Sequence, residues 1–182
     1  MGITQSNPKA FESLAAKLKE LQGIETKCGW FPGAKYEDGT QVAAVASIQE
    51  YGAGPIPPRP FFRPTIAKEE KAWAGYAADG AKAVLAGKAT AFGVMDALGE
   101  RAQEDVKETI NQITAPPLSP ITLEIRAMKH KDPMLKITGK IVGEVAWKVS
   151  QPGYQLASGT PDKPLVDTKN LITTLSHTTE TK

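Results

Sequence analysis

The first hydrophobic pattern in the chain is helical. Apolar side chains recur at intervals of three and four residues, which places them along one face of a helix: Phe11, Leu14, Leu18 and Leu21. Asn7 can accept a hydrogen bond from the first-turn amides, and Pro8 follows where a missing N–H costs nothing. Gly23 suits a left-handed stop. We therefore predict an amphipathic helix over residues 7–22.

Two strand-like patterns follow this helix. Residues 24–31 alternate, with Ile24, Thr26, Cys28 and Trp30 on one side. Residues 42–51 are mostly small and apolar, which is typical of a strand covered on both faces. The polar, glycine-containing residues 32–40 lie between them. This pattern predicts a β-hairpin with a long tip.

The pattern changes abruptly at residues 52–64, whose sequence GAGPIPPRPFFRP contains five prolines and two glycines. Proline lacks a backbone donor, fixes φ and pushes the preceding residue towards extended conformations. We therefore predict an extended, locally stiff arm. Phe61 and Phe62 on this arm need burial, against this chain or against another.

Helical spacing dominates the rest of the chain. Helices are predicted over residues 65–86, 89–113, 120–130 and 138–150, and the β-branched content of the last would also fit a strand. Gly75, Gly80 and Gly87 count against the first of these, since each costs about 1 kcal/mol relative to alanine. A loop is expected over 151–163 and a final strand over 171–179.

Composition narrows the function classes. The chain has 182 residues, 22 basic and 20 acidic, and a net charge of +2. This length suits a single domain. Charge this balanced argues against tight duplex binding, which needs a concentrated basic face. No apolar run is long enough to span a membrane, and the N-terminal MGITQSNPKAF does not have the pattern of a secretory signal.

The residues that catalysis requires are sparse. Cys28 is the single cysteine, and His130 and His177 have no companion at metal-ligand spacing. Burial of Cys28 as a small apolar residue is favoured over pairing with a distant histidine for nucleophilic catalysis. No phosphate-loop, dinucleotide-binding or nucleophile-elbow pattern occurs. We therefore expect no enzyme, no cofactor and no metal site.

Three short segments follow each other along the chain: IQEYG at residues 48–52 with PPRPFFRP at 57–64, then PLSPIT at 117–122, then KPLVDTKNL at 163–171. Together they resemble the "EFG … PPRPFLR", "PLSP-T" and "KPLVDTG-L" segments of the neck and tail-completion proteins of tailed double-stranded DNA bacteriophages. Order and spacing agree over roughly residues 45–175.

The resemblance implies an α+β fold: a small antiparallel sheet with helices packed against it, and the proline-rich arm. It also implies a structural virion protein at the head–tail junction or the top of the tail, assembled in the host cytoplasm as a homo-oligomeric, six-fold ring. Its expected partners are the head–tail connector or head-closure protein, the tail terminator and the tail-tube protein. Genomic DNA would pass through the lumen without sequence-specific binding, and no membrane is involved.

In this interpretation the arm, residues 53–64, docks on a neighbouring subunit or ring, because a stiff segment loses little entropy on binding. The alternative is that the arm and the later KPLVDT loop fold back on their own sheet. The candidate subunit-interface residues are Glu50, Tyr51, Gly52, Pro58, Arg59, Pro60, Phe61, Phe62, Arg63, Pro164, Leu165, Asp167 and Thr168.

The chain departs from the family pattern at three places. Lys169 stands where the family has glycine, so the left-handed turn expected there must form differently. Tyr51 replaces the commoner phenylalanine. Residues 123–160 exceed the usual spacing and predict a helical insertion within the single domain, before the C-terminal strand. Other interpretations are a tail terminator or other minor tail protein, and a nucleic-acid-binding protein with Lys129–Lys148 as its footprint.

Overall fold

Helices and a small sheet make an α+β fold in this computed structural model, which describes residues 8–156, 162–166 and 169–182. Within those ranges the helices are α1 Pro8–Gln22, α2 Val42–Tyr51, α3 Phe62–Leu85, α4 Ala91–Gln112, α5 Pro120–Lys131, α6 Gly139–Val149 and α7 Asn170–Thr173. The strands are β1 Ile24–Gly29 and β2 Ser176–Thr181. None of the described helices combines the length and the apolar character needed to cross a membrane.

The two strands pair residues 24–29 with residues 176–181. β1 and β2 are antiparallel, with Ile24 opposite Thr181 and Gly29 opposite Ser176. The strand predicted at 24–31 is thus confirmed over 24–29. The final strand predicted at 171–179 is confirmed only from residue 176, because residues 170–173 form the short helix α7. The sheet packs on α4, which lies against both strands.

The predicted hairpin is wrong, because residues 42–51 form a helix. Val42, Ala46 and Glu50 are the buried residues of α2, at the four-residue spacing of a helical face. Ala43 and Ala44 favour the helix as well, since alanine has the highest helical propensity. A short apolar run fits either state by periodicity alone. The strand paired with β1 is therefore β2, about 150 residues further along the chain.

The two longest helices, α3 and α4, pack closely on each other. Gly80 of α3 faces Val94 of α4, and a Cβ at Gly80 would overlap the valine methyl groups. The glycine that weakens the helix locally is therefore needed for the close approach of the two helices. The indole Nε1–H of Trp73 donates to Asp105 Oδ2 at 2.7 Å and joins the same pair.

The core lies where α2, α4, α7 and the arm meet. One buried cluster comprises Val42, Ala46, Phe61, Val106, Ile110, Leu171 and Leu175. A second, smaller cluster of Val84, Ala91 and Val94 fixes the α3–α4 turn, and Leu21 of α1 packs against it. The helix predicted over 7–22 is confirmed as α1, but Phe11, Leu14 and Leu18 of its apolar stripe are exposed.

Residues 120–149 form a helical hairpin, in the region predicted as an insertion. Ser119 and Thr138 cap α5 and α6, accepting hydrogen bonds from the amides of Thr122 and Ile141 at 3.1 and 3.4 Å. The helical prediction for 138–150 is confirmed over the strand alternative. Glu124 of α5 joins the hairpin by pairing with Lys148 and accepting from the Tyr154 hydroxyl at 2.7 Å.

The left-handed turn expected in the last motif is present although glycine is not. Lys169 has φ 59° and ψ −5° at the N-terminal end of α7. Its carbonyl accepts from the amides of Ile172 and Thr173, each at 2.9 Å. The turn thus keeps the left-handed geometry, and the lysine Cβ introduces the strain that glycine avoids.

We predict that Lys169→Gly raises the free energy of unfolding by about 1 kcal/mol, because it removes the left-handed strain of an L-residue. Thermal or denaturant unfolding would measure it. The control Lys88→Gly changes an exposed loop residue outside the left-handed region and should give no gain. Equal effects of the two substitutions would contradict this account of the turn.

Candidate functional site

The carboxylate of Glu50 holds the start of α3. Its Oε2 accepts from the backbone amides of Phe61 at 2.7 Å and Phe62 at 2.9 Å, and its Oε1 accepts from the amide of Arg63 at 3.1 Å. The first amides of a helix have no partner within that helix. A carboxylate from α2 therefore caps α3 in place of a local capping residue, which explains why α3 begins at Phe62 and not at the predicted residue 65.

The environment keeps Glu50 ionised. Burial alone would raise the pKa of this carboxyl, but the hydrogen bonds from the Phe61 and Phe62 amides and from Arg63 outweigh burial and lower the pKa. The positive end of the α3 dipole acts in the same direction. Glu50 is only 4% exposed, and its carboxylate finds its hydrogen-bond donors within its own chain.

Arg63 and Gly52 complete the connection between α2 and the arm. The Arg63 guanidinium donates to Glu50 Oε1 at 2.9 Å and to the Glu50 carbonyl at 3.1 Å, and it lies 4.7 Å from the centre of the Tyr51 ring. Gly52 ends α2 with φ 78°, and a Cβ there would lie 3.0 Å from the Ile56 carbonyl oxygen. The glycine of the EYG segment is therefore required by both its conformation and its crowding.

Arg59 connects the arm to the PLSP segment. Its Nε donates to the Pro116 carbonyl at 2.8 Å and its Nη2 to the Pro117 carbonyl at 2.9 Å, while Nη1 reaches Gln49 Oε1 at 3.3 Å. Arg59 is 4% exposed. The planar guanidinium thus donates to two adjacent carbonyls at once.

Two aromatic side chains of the arm, Phe61 and Phe62, pack against Trp30. Trp30 contacts Phe61 and Phe62 edge to face, with ring centroids 5.7 and 5.6 Å apart. The Trp30 indole N–H donates to the Leu171 carbonyl at 3.0 Å, which ties this group to the KPLVDTKNL segment. The rings therefore contribute to the core where the three resembling segments meet: IQEYG with PPRPFFRP, PLSPIT, and KPLVDTKNL. We call this meeting place the junction.

The last segment also reaches this junction. Leu165, in a left-handed conformation with φ 66°, packs against the core cluster, and Pro164 is buried. Arg126 of α5 donates to the Lys163 carbonyl at 2.9 Å. Asp167 and Thr168, two of the predicted interface residues, lie outside the described residues.

These contacts correct part of the interface prediction. Phe61 is fully buried, and Glu50 and Arg59 are almost fully buried, within their own chain, so they are not available to a neighbour in this conformation. The alternative, that the arm folds back, holds for these residues, although the arm packs on α2, Trp30 and the Pro116–Pro117 pair and not on the sheet. The exposed members of the predicted set are Tyr51, Pro58 and Arg63, with Gly52, Pro60, Phe62 and Leu165 half-buried.

An open groove of about 350 Å³ lies beside the junction. Its lining combines residues of the 36–40 loop, α2, α5 and the last segment, and includes Gln49, Arg126 and Leu165. A smaller depression of about 170 Å³ lies over Trp30 and Phe62. The groove contains surface of all three segments, whereas the depression contains surface of the first segment only.

The sheet brings Cys28 opposite His177, a pairing that sequence reasoning did not favour. Burial raises the pKa of the Cys28 thiol to about 11, against the smaller opposite effect of Lys107. A thiol in that state is a poor nucleophile at neutral pH. The His177 ring faces α4, with Nδ1 2.9 Å from Gln103 Oε1 and Nε2 3.4 Å from Asp96 Oδ1. Across the described part of the chain, no group of three or more His, Cys, Asp or Glu side chains could hold a metal ion.

Comparison with known proteins gives no relative: no protein-family model, no curated protein and no solved structure matches the chain.

The sequence predicted Glu50, Arg59 and Arg63 as site residues but assigned them to an interface between subunits. It missed Gln49, whose carbonyl accepts from the Arg59 amide at 2.6 Å, and the Trp30 connection to Leu171. The available signal was the pairing of an acidic residue in EYG with two arginines in PPRPFFRP. Charges of opposite sign flanking a proline-rich turn can satisfy each other as well as a partner.

We predict that Glu50→Gln lowers the free energy of unfolding by about 2 kcal/mol near neutral pH, since a charged acceptor of several hydrogen bonds is lost. Because the pKa of Glu50 is lowered in the folded chain, its stabilising contribution is complete above about pH 4.3, the unfolded value, and is lost as the pH falls through the folded pKa. Denaturant unfolding at several pH values would measure both effects.

Glu70→Gln on the exposed surface of α3 is the matched control and should leave stability unchanged. The difference in unfolding free energy between the wild type and Glu50→Gln should decrease at acid pH. A difference that does not change with pH would contradict the role of the charge.

We also predict that Arg59→Lys destabilises the chain by about 1 to 2 kcal/mol, because an ammonium cannot reproduce the fork that holds the Pro116 and Pro117 carbonyls. Amide exchange in residues 118–119 should accelerate as well. Arg101→Lys, at an exposed position on α4, is the control. Unchanged exchange in Arg59→Lys would show that this contact does not hold the PLSP segment.

Proposed function

We propose that this chain is a structural protein of the neck of a tailed double-stranded DNA bacteriophage. It forms a ring at the head–tail junction or at the top of the tail, completes the tail and joins it to the head. Its neighbours are the connector or head-closure protein, the tail terminator and the tail-tube protein.

The observation that carries the proposal is the convergence of the three resembling segments. Glu50 and Gly52 of the first segment hold the arm, Arg59 of the arm holds the Pro116 and Pro117 carbonyls, and Leu171 of the last segment receives the Trp30 indole. Short proline-rich matches scattered along a sequence carry little weight individually. Their meeting at one buried junction supports treating them as a single structural signature.

The charge of the chain is compatible with this role. A net charge of +2 over 182 residues lets DNA pass through a lumen without the tight, salt-dependent binding of a strongly basic surface. A tail terminator or other minor tail protein remains the alternative within the virion, since it would use the same kind of ring.

One observation favours a function of another class, nucleic-acid binding. The basic residues Lys129, Lys131, Lys136 and Lys140 are exposed on the α5–α6 hairpin. A gel-shift titration at moderate salt with duplex and single-stranded DNA distinguishes the two functions, and a neck protein should give no tight complex.

The neck proposal is tested by removing the chain from the phage that encodes it. We expect filled heads and finished tails that stay separate in electron micrographs, with joining restored by the wild-type gene supplied in trans. Joined, infectious particles that lack the chain would contradict the proposal. Defective capsids or absent tails would also contradict it, because they would indicate an earlier step in assembly.

A further inference from the structure

The positive charge of the chain is concentrated in the α5–α6 hairpin. Residues 120–149 hold six basic and three acidic residues, whereas the whole chain has a net charge of only +2. The rest of the molecule is therefore slightly acidic. Among the described elements the most extensive contacts of α5 are with α6, and the hairpin exposes Lys129, Lys131, Lys136 and Lys140.

The hairpin also exposes large apolar side chains among these charges. Trp147 is 69% exposed and Met134 is 87% exposed. On α6, Trp147 lies opposite the buried Val145 and on the same face as Lys140, two turns away. A tryptophan exposed to this degree buries little apolar area in its own chain, and tryptophan is enriched at binding hot spots. We call Met134, Lys136, Lys140 and Trp147 the hairpin face.

A complementary surface exists on the same molecule. α4 carries five acidic and two basic residues. Glu100, Glu104 and Glu108 follow each other at four-residue intervals and are all exposed, which places them in one inclined row. We call these three residues the acidic row. Its charge is opposite to that of the hairpin face.

We propose that the hairpin face of one copy docks on the acidic row of α4 in the next copy. Lys136 and Lys140 then lie against the glutamates, and Trp147 packs on the aliphatic stems between them. The occupant of the hairpin face is thus a second copy of this chain. Opposite charges on two surfaces of one chain steer copies together and fix their order.

A contact between two different surfaces is heterologous, so it repeats from copy to copy and forms a ring when the rotation between neighbouring copies closes. The proposal rests on the proposed function to the extent that it names the subunit contact of the neck ring. The contact itself is testable on the purified chain, without any other virion component.

The test uses two charge-reversed variants of the full chain. The first is Lys136→Glu with Lys140→Glu, and the second is Glu100→Lys with Glu104→Lys. Each variant alone presents like charges at every subunit contact. By sedimentation velocity at low ionic strength we expect the wild type to assemble, and each variant alone to dissociate with a dissociation constant raised at least about tenfold.

Mixing the two variants gives the decisive result. Every contact between unlike variants again joins opposite charges, so an equimolar mixture should assemble as the wild type does. Lys71→Glu with Lys82→Glu on α3 changes the net charge as the first variant does and should assemble normally. Circular dichroism and thermal unfolding establish that all variants are folded. Trp147→Ser should weaken assembly without changing the fold.

Several outcomes would overturn the proposal. One is a mixture that stays dissociated, and another is a pair of variants that assemble alone. A wild-type chain that stays monomeric but binds duplex DNA through the hairpin would make the hairpin a nucleic-acid surface. Failure here is distinguishable from failure of the neck role: if the variants assemble and still join heads to tails in the phage, the contact is wrong and the neck role stands. If the mixture assembles as expected but phage lacking the chain still join, the neck role is wrong and the contact stands.

Discussion

A single buried carboxylate organises the middle of this chain. Glu50 lies at the end of α2 and receives the first amides of α3, so it fixes the angle between two helices that are separated by a proline-rich turn. Without it, the amides of Phe61 and Phe62 would be partly or fully buried without an acceptor, which costs more than the hydrogen bonds contribute when made. The Glu50 carboxylate therefore stabilises the start of α3 and the end of the arm.

The arrangement gives the arm a different role from the one its sequence suggests. Stiffness and aromatic side chains are well suited to docking on a neighbour, yet here the same features hold α2, α3 and the Pro116–Pro117 pair in one rigid junction. Phe61 and Arg59 are buried within their own chain. If the chain assembles as proposed, its contacts must use residues that stay exposed, such as Tyr51, Arg63 and the lysines of the α5–α6 hairpin.

Local pattern predicted much of the helical structure, because caps and apolar stripes depend on neighbours in sequence. α1, α4, α5 and α6 follow from such signals, and the structure adds Ser119 and Thr138 as the N-terminal caps of α5 and α6. The wrong strand at residues 42–51 and the missed pairing of β1 with β2 share one cause. Small apolar runs are ambiguous locally, and strand partners 150 residues apart leave no local signal.

The sequence predicted which residues form the candidate site, but not whether their side chains face the interior of the chain or a partner. The sequence places one glutamate and two arginines around a proline-rich turn, and only the fold decides that Glu50 and Arg59 face inward. Lys169 is the opposite case: the left-handed turn forms, and its carbonyl accepts from the Ile172 and Thr173 amides, although glycine, the residue that favours this conformation, is absent.

The most direct test of the account is a cryo-electron microscopy reconstruction of the neck in particles that carry this chain. The account predicts a ring of copies at the head–tail junction or the top of the tail. Within each subunit Glu50 should cap α3 and Arg59 should hold the Pro116 and Pro117 carbonyls. A neck in which this chain is absent, or in which the arm is pulled out so that Phe61 lies in a neighbouring subunit, would contradict it.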